Sequence, residues 1–323
     1  MTETHGYVPV AAVERNGFDE GYHFGRVLGL DADGVEVFSH GDVDAPVHPR
    51  SANKLMQASG MRSLGLQLQG ELLALSAASH WGAPEHLDGV RSILAGAGLD
   101  DSALQATPDL PEDPDARRAV LCADGVLRPI FHGCSGKHAA MLAVCVRHGW
   151  DLDTYLSPEH RLQIDLRAAV EDDTGHEVFH TAVDGCGAPA WAISLRALAQ
   201  VYRAAVLADP GTPLRDVADA MRAHPQMVCG EGSEVTGLMR AIPGLLMKDG
   251  AQSVYVAALA DGRVVAVKVA DGTFRAGQAV VVAALRRLGA ADVPGVDQAA
   301  LQTWGTVPVL GHGAPVGRIR PLI

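Results

Sequence analysis

The two ends of the chain carry the pattern of β-strands, and the long middle carries the pattern of α-helices. Residues 7–40 alternate apolar and polar side chains, residues 245–270 also have the pattern of strands, and each segment contains an Asp-Gly turn dipeptide. Because strands from both ends must bury their apolar faces together, the sequence predicts an α/β (α+β) fold. We expect a central, largely antiparallel sheet built from N- and C-terminal strands, with an inserted helical cluster. The chain shows neither the βαβα alternation nor the Gly-x-Gly-x-x-Gly segment of a Rossmann fold.

We expect a single structural unit over residues 1–323. Its sheet part comprises residues 1–50 and 244–323, and its mainly helical part comprises residues 51–243. The helical pattern predicts helices that begin after Pro49, near Gly136 and near Ser157, a helix that ends at His80, and a helix over residues 189–209. The C-terminal tail is rich in Gly and Pro.

Charge and hydropathy exclude several classes of function. The chain has 38 acidic and 26 basic residues, a formal net charge of −12. No run of Lys and Arg forms the basic surface that nucleic-acid binding requires, and no apolar stretch has the length of a transmembrane helix. The N-terminal segment lacks the basic and apolar regions of a signal peptide. We therefore expect a cytoplasmic protein that acts on a small soluble substrate, with no nucleic-acid or membrane partner.

Lysine is rare in this chain. Only four of the 26 basic residues are lysines, namely Lys54, Lys137, Lys248 and Lys268. Arg stays protonated in any protein site, whereas a buried Lys can lose its proton and act as a base or a ligand. The four lysines are therefore candidates for sites where a guanidinium cannot substitute, although a coding preference for Arg would leave the same residues by chance.

Ser51 and Lys54 lie three residues apart at the start of a predicted helix, so their side chains share one face. A neutral Lys54 amine can accept the proton of Ser51 and make the hydroxyl a nucleophile. The same Ser-x-x-Lys spacing carries the nucleophile of penicillin-binding proteins. As a string of four residues, the pattern also arises by chance.

The five cysteines are an odd number, and without an export signal we expect metal ligation or burial rather than disulfides. Cys134 and Lys137 lie around the start of a predicted helix, and Cys186 follows a predicted strand. Thiolates suit zinc, but two buried free cysteines fit the same pattern. The remaining cysteines are expected to be buried and free: Cys122, Cys145 and Cys229.

Two further polar groups interrupt apolar segments. Ser79 precedes a helix break together with His80, where the pair would serve as a cap or supply a second active-site serine. Lys268 lies in the middle of an apolar strand and shares a face with Ala266 and Ala270. Helices covering that face would desolvate Lys268 and lower its pKa. The alternative is an edge strand from which the amine reaches solvent.

The chain resembles the rhizobial-type (class 3) L-asparaginases over residues 8–320. The resemblance rests on six segments in a fixed order, each unspecific alone: HPRSANK, SAASHWGAPEH, GCSGKHAAML, VDGCGAP, MKDGAQSVYVAAL and VVAVKVADG. It implies a fold similar to that of serine β-lactamases and glutaminases. It also implies hydrolysis of L-asparagine to L-aspartate and ammonia by a homodimer.

The resemblance implies two Ser-Lys pairs, which match Ser51 with Lys54 and Ser79 with Lys268. We expect Ser51 to be the nucleophile and Lys54 its base. Ser79 and Lys268 would complete a proton relay, and the reversed roles of the two serines remain an alternative. The resemblance also implies a zinc ion, in a supporting role, on three further residues: Cys134, Lys137 and Cys186.

The sequence departs from the family pattern in three places near the expected pocket. Leu55 stands where the family usually has proline, and Trp81 lies in the segment of the second serine. Beside Lys248, which is expected to be structural, residues 251–253 read Ala-Gln-Ser instead of Ala-Glu-Gly. These departures bear on substrate preference more than on the fold.

Three residues are candidates for substrate binding. Arg50 is a candidate to bind the α-carboxylate of the substrate, because its planar guanidinium matches a carboxylate. Asp184 is a candidate to bind the α-ammonium, and His138 is a candidate to form a hydrogen bond in the pocket. Two alternatives of the same class remain, a glutaminase and a penicillin-interacting serine hydrolase. A non-catalytic protein that binds zinc or a small molecule is the alternative of a different class.

Overall fold

The computed structural model describes residues 6–323, so Met1–His5, part of the N-terminal segment considered above, lie outside the described residues. The strands are β1 (Val8–Arg15), β2 (Phe18–Leu30), β3 (Glu36–His40), β4 (Pro46–Val47), β5 (His180–Val183), β6 (Pro189–Ser194), β7 (Leu246–Gly250), β8 (Val254–Ala258), β9 (Val264–Val269), β10 (Pro308–Gly311) and β11 (Ala314–Pro321). The helices are α1 (Lys54–Ser63), α2 (Gly70–Ser76), α3 (Pro84–Gly96), α4 (Pro114–Ala123), α5 (Ser135–His148), α6 (Arg161–Thr174), α7 (Leu195–Leu207), α8 (Pro213–Ala223), α9 (Pro225–Val228), α10 (Glu234–Ala241), α11 (Phe274–Arg287) and α12 (Gln298–Gly305).

The large sheet joins the two ends of the chain, as the sequence predicts. Its order is β10-β11-β1-β2-β9-β8-β7, and β3 also pairs with β2. All of these neighbours are antiparallel. Val13 of β1 faces Ile319 of β11, and Val27 of β2 faces Val267 of β9. The predicted fold class, a mixed α/β fold with a sheet from both termini and an inserted helical segment, is confirmed.

The described chain divides into two compact units. Unit 1 contains residues 6–52, Ala192–Leu207 and Gly237–Ile323, and therefore the whole large sheet with α7 and α11 packed on β8 and β9. Strands β8 and β9 are buried along their full length because helices cover them. This explains why they read as nearly continuous apolar runs.

The two faces of the sheet in unit 1 carry different elements. A Cβ atom built on Gly277 of α11 would lie 2.5 Å from the Tyr255 ring, so α11 approaches the face to which Tyr255 points. On α7, the Tyr202 hydroxyl donates a hydrogen bond of 2.9 Å to the Ala52 carbonyl oxygen. Helix α7 therefore anchors the segment that connects the N-terminal strands to Ser51.

Unit 2 contains Asn53–Trp191 and Ala208–Thr236 and is mainly helical. Helix α1 packs against α5, α6 and α8, and α3 packs against α5. A Cβ atom on Gly60 of α1 would come within 2.9 Å of Leu166 on α6, so glycine allows the two helices to approach closely. The predicted boundaries of a sheet part and a helical part stay a prediction.

One predicted helix begins as a strand instead. Residues 189–194 form β6, and Ile193 pairs with Val47 of β4 before α7 begins at Leu195. Residues 189–193 are all buried and include Trp191. A short apolar run buried on both sides fits strand and helix equally well, so the sequence pattern could not separate them.

Three other predicted boundaries differ from the structure. Helix α2 ends at Ser76, so Ser79 and His80 lie in the following loop rather than at the helix end. Helix α6 begins at Arg161, capped by the His160 ring, and not near Ser157. The C-terminal tail, for which no element is predicted, forms α12, β10 and β11. Long-range pairing with β1, rather than local periodicity, stabilises β11.

Candidate active site

In unit 1, Ser51 lies on a constrained turn. The 3-10 turn Arg50–Asn53 runs directly into α1, and Arg50 has φ +53°, a left-handed conformation that residues other than glycine rarely adopt. The end of β7 packs against this turn, because a Cβ atom on Gly250 would lie 2.1 Å from the Pro49 carbonyl oxygen. Contacts of this kind hold strained backbone in place, and such strain is common at functional sites.

Two lysines of unit 1 lie on the sheet face that carries this turn. Gly250 pairs with Val254, and Val254 pairs with Lys268, so these three residues point to the same side. Lys248 precedes Gly250 by two residues on β7 and therefore shares that side. The register thus places both Lys248 and Lys268 on the face against which the Ser51 turn packs.

Lys268 is buried on a central strand. Because β9 lies between β2 and β8, the alternative of an edge lysine that reaches solvent is wrong. Its Nζ donates to the Gln252 carbonyl oxygen at 2.6 Å and to the Val269 carbonyl oxygen. Burial lowers the pKa of Lys268 from its ordinary 10.5 to about 8, with Asp271 opposing and Arg26 reinforcing the shift. The expected desolvation is therefore present.

In unit 2, Lys54 joins the Ser79 loop. Lys54 is the first residue of α1 and is only 1 % exposed. Its Nζ donates to the Ser79 Oγ at 3.1 Å and to the Ala78 carbonyl oxygen. Ser79 itself is half-buried, so its hydroxyl stays accessible from one side. A buried amine in contact with an accessible serine hydroxyl is the arrangement that nucleophile activation requires.

Backbone hydrogen bonds fix the loop that carries Ser79. The Ser79 N–H donates to the Val228 carbonyl at 2.8 Å, and the His80 N–H donates to the Gly133 carbonyl at 3.0 Å. Gly133 must be glycine there, because its Cβ would lie 2.9 Å from the His80 carbonyl oxygen. The loop is therefore held between two other segments of unit 2.

Two buried histidines lie next to this serine. Burial lowers the pKa of His80 well below its ordinary value, and the neighbouring His86 and Lys54 lower it further. Burial also lowers the pKa of His86. Both imidazoles are therefore neutral at pH 7, when each can accept and donate one hydrogen bond.

The three residues expected to hold zinc come together in unit 2. Cys134, Lys137 and Cys186 are all buried, and the Lys137 Nζ donates to the Cys186 Sγ at 3.4 Å. A hydrogen bond from Cys186 holds the pKa of Cys134 well below its usual range, and the same bond, with burial, raises the pKa of Cys186. Burial lowers the pKa of Lys137, but electrostatic interactions with Cys186, Cys134 and Asp184 outweigh burial and raise the pKa.

This donor set fits a zinc ion in its chemistry. Two sulfur atoms and one nitrogen atom converge, and both types of atom are ligands that zinc accepts. Lys137 would have to lose its proton to bind a metal, as any ligating amine must. Within residues 6–323, no group of three His, Cys, Asp or Glu side chains has a metal-binding arrangement. Zinc therefore stays a prediction.

Two of the candidate substrate-binding residues lie in the same part of unit 2. The Nδ1 of His138 shares a 2.7 Å hydrogen bond with the Tyr155 hydroxyl, and its buried Nε2 has no hydrogen-bond partner within residues 6–323. A buried ring nitrogen without a protein partner is suited to a ligand atom. The charge of Asp184 raises the pKa of Lys137, which places its carboxylate near that amine.

The other sequence-predicted residues are distributed as follows. Arg50, Ser51 and Lys268 belong to unit 1, and the remaining site residues belong to unit 2. The hydrogen bonds of Lys268 go to backbone carbonyls, so its pairing with Ser79 stays a prediction. Among the cysteines expected to be buried, Cys145 and Cys229 are buried, whereas Cys122 is exposed.

Of two further residues near the site, Tyr155 was not singled out from the sequence and Lys248 was expected to be structural. Tyr155 positions the His138 ring, but an isolated tyrosine in a loop carries no sequence signal. Lys248 is fully buried and binds the Asp249 carboxylate. The spacing Lys248-Asp249-Gly250 has the form of the Lys-Thr-Gly segment of penicillin-binding proteins, and this signal was available in the sequence.

The family described as L-asparaginase II matches residues 11–321. The chain belongs to the L-asparaginase II family. As a member of that family, the protein is an amidohydrolase that acts on a small-molecule substrate. A search of curated protein sequences found no match.

Solved structures give two further comparisons for this L-asparaginase II family member. A β-lactamase from Mycobacterium bovis is 15 % identical, with 82 % of this chain and 94 % of that chain covered and a TM-score of 0.43. A Bacillus glutaminase is 12 % identical, with 82 % of this chain and 91 % of that chain covered and a TM-score of 0.38.

None of the helices within residues 6–323 is both long and apolar enough to cross a membrane.

The lowered pKa of Lys268 predicts a pH-dependent stability difference. Between pH 8 and 10.5 the folded protein has lost the Lys268 proton while the unfolded chain still holds it. The cost of burying the ammonium is therefore present below pH 8 and is relieved as the pH rises. We expect the free energy of unfolding of the wild type to rise relative to Lys268→Met by on the order of 1–3 kcal/mol across this window.

Urea denaturation of both proteins from pH 7.5 to 10.5 measures this difference. Other titrating groups are common to both proteins and cancel in the comparison. A difference that stays constant, or that falls with pH, would show that Lys268 keeps an ordinary pKa.

Proposed function

We propose that the protein hydrolyses the side-chain amide of L-asparagine to L-aspartate and ammonia through a serine acyl-enzyme. The observation that carries this proposal is the contact of the buried Lys54 amine with the Ser79 hydroxyl. The L-asparaginase II family of the chain supports the choice of substrate. The constrained turn that presents Ser51, one helical turn before Lys54, supports a nucleophile at that position.

The proposed reaction needs one base that can also act as an acid. The Ser51 Oγ attacks the amide carbon while its proton passes to Lys54, and a tetrahedral intermediate forms. The intermediate collapses as the C–N bond breaks, and ammonia leaves with the proton that Lys54 returns. Water then attacks the ester, the same amine takes its proton, and L-aspartate leaves with Ser51 restored. Ser79, bonded to Lys54, supplies a path for these protons.

The reversed assignment has a specific observation in its favour. The Lys54 amine hydrogen-bonds to the Ser79 hydroxyl, so this hydroxyl is already paired with a base. In that arrangement Ser51 would assist proton transfer. The relay through Lys268 remains part of the proposal, since a pKa of about 8 allows a neutral amine near neutral pH.

Charged and polar groups support recognition of an α-amino acid. Arg50 is proposed to bind the α-carboxylate, and Asp184 to bind the α-ammonium. His138 offers the unpartnered Nε2 described above for a hydrogen bond to the substrate. We also propose that the protein is a cytoplasmic homodimer. The mass that light scattering gives for the purified chain tests whether it is a dimer.

Zinc is proposed to support the site rather than to carry out the chemistry. The residues that would hold it are Cys134, Lys137 and Cys186. When bound, zinc supplies positive charge and a rigid cross-link between its ligands. His138 follows Lys137 directly, so a fixed Lys137 would also fix the proposed substrate-binding imidazole.

Substitution of the Ser-Lys groups tests the proposed chemistry. We expect wild-type protein to release ammonia from L-asparagine, and Lys54→Arg to lose about 10²- to 10⁴-fold of the kcat, because Arg cannot give up its proton. Ser51→Ala should lose at least about 10⁴-fold, and Ser79→Ala less, if Ser51 is the nucleophile. The matched control is Ser92→Ala, an exposed serine on α3 that should leave the rate unchanged.

Parallel assays with L-glutamine measure substrate preference. Near-normal turnover by Ser51→Ala with an inactive Ser79→Ala would establish the reversed assignment. Faster ammonia release from L-glutamine would make the protein a glutaminase, and no release from either amide by the wild type would refute the proposed function.

Removal of zinc should change substrate affinity more than turnover. Because the zinc ligands belong to segments other than the two serine segments, chelation is expected to raise the KM for L-asparagine about 3- to 30-fold and to change kcat less. Cys186→Ser should reproduce this change, whereas the matched control Cys145→Ser should not. A complete loss of kcat that added zinc restores would contradict the supporting role and favour metal-assisted hydrolysis.

A further inference from the structure

Two stacked histidines form hydrogen bonds with the loop backbone near Ser79, and the proposed reaction uses neither of them. The rings of His80 and His86 are fully buried, with centroids 5.2 Å apart and an interplanar angle of 19°. Each ring accepts a backbone hydrogen bond at Nδ1. The Gly82 N–H donates to His80 and the Ala83 N–H donates to His86, both at 3.1 Å.

These contacts determine the tautomer of both rings. A neutral imidazole that accepts at Nδ1 carries its proton on Nε2. The His80 Nε2 therefore donates to the Ser135 Oγ at 2.8 Å, and the Ser135 hydroxyl donates to the Ile130 carbonyl at 2.8 Å. In the same way, the His86 Nε2 donates to the Gln226 carbonyl at 2.9 Å.

His80 connects the Ser79 loop to the first turn of a neighbouring helix. Ser135 is the first residue of α5, so the bond from His80 joins the loop to that helix. The Lys54 amine also contacts this loop, where it donates to the Ser79 hydroxyl and to the Ala78 carbonyl oxygen. A displacement of about 1 Å in a reacting group can cost about 100-fold in rate, so the position of this loop matters for the reaction.

We propose that His80 is a positioning residue for the amide hydrolysis. Its neutral imidazole, bonded to Gly82 through Nδ1 and to Ser135 through Nε2, holds the Ser79 hydroxyl within hydrogen-bonding distance of Lys54. The proposal rests on the proposed function in one respect, namely that Ser79 and Lys54 take part in the reaction.

The two hydrogen bonds of His80 have opposite polarity, which distinguishes positioning from space filling. A histidine that only filled the core would tolerate any side chain of similar size. Here Gln can reproduce the donor at Nε2, and Asn can reproduce the acceptor at Nδ1, but neither reproduces both. The pair of substitutions therefore separates the bond to α5 from the bond inside the loop.

Kinetics of these two variants test the proposal. We expect His80→Asn, which loses the bond to Ser135, to lower kcat about 10- to 100-fold while KM stays within about 3-fold. His80→Gln keeps that donor and should retain most of the kcat. The matched control His312→Asn changes an exposed histidine in the turn between β10 and β11 and should have no effect.

A double-mutant cycle tests the partner. Ser135→Ala should lower kcat as much as His80→Asn does, and the double variant should lose no more than either single variant. Equal losses of kcat in His80→Gln and His80→Asn, or additive losses in the double-mutant cycle, would overturn the proposal. Either result would show that the hydrogen bond to Ser135 does not contribute to kcat.

A measurement on the wild type keeps the test independent of folding defects and of the substrate. The ¹⁵N chemical shifts of the His80 ring should show a protonated Nε2 and an unprotonated Nδ1. The opposite tautomer would overturn the proposal whatever the activity. A wild type without amidohydrolase activity would refute the proposed function, whereas the tautomer would still decide whether His80 holds the loop.

Discussion

The buried amine of Lys54 is the group on which the surrounding structure depends. An ammonium or amine removed from water is strongly destabilising unless its hydrogen bonds are replaced. Lys54 is 1 % exposed, and its partners include the Ser79 hydroxyl and the Ala78 carbonyl oxygen. The loop of residues 77–83 must therefore present both groups at one place. This loop is not helical. Its backbone N–H groups donate instead to the carbonyls of Val228 and Gly133 and to the rings of His80 and His86.

The same constraint applies to all four lysines. Each is buried, whereas Arg26 alone among the arginines of residues 6–323 is buried to a similar degree. Lys137 binds Cys186, Lys248 binds Asp249, and Lys268 binds two backbone carbonyls. Each partner set suits a compact amine better than a planar fork. Burial thus explains why lysine suits these four positions, and three of the four lysines belong to the candidate site.

The sequence predicted the elements whose pattern is local and long. The apolar runs of β8 and β9 are recognisable as strands, and the helical period of α5 is clear. The side-chain alternation of β9 grouped Lys268 with Ala266 and Ala270 on one face, and the structure shows that Lys268 is buried on a central strand. Other features depend on distant partners: β6 forms beside β4 within a run that reads equally as helix, and β11 forms beside β1. The contact of Lys54 with Ser79 joins residues that are 25 positions apart, and no spacing in the chain indicates this contact.

The most direct test of this account is to find where the acyl group is held. Protein mixed with L-asparagine and quenched in acid during turnover can be digested and mapped by mass spectrometry. We expect an aspartyl ester on Ser51, which should accumulate in Lys54→Arg if deacylation is slower than acylation in that variant. An ester on Ser79 would exchange the roles of the two serines. If turnover proceeds and neither serine carries an acyl group at any quench time, the serine acyl-enzyme is contradicted.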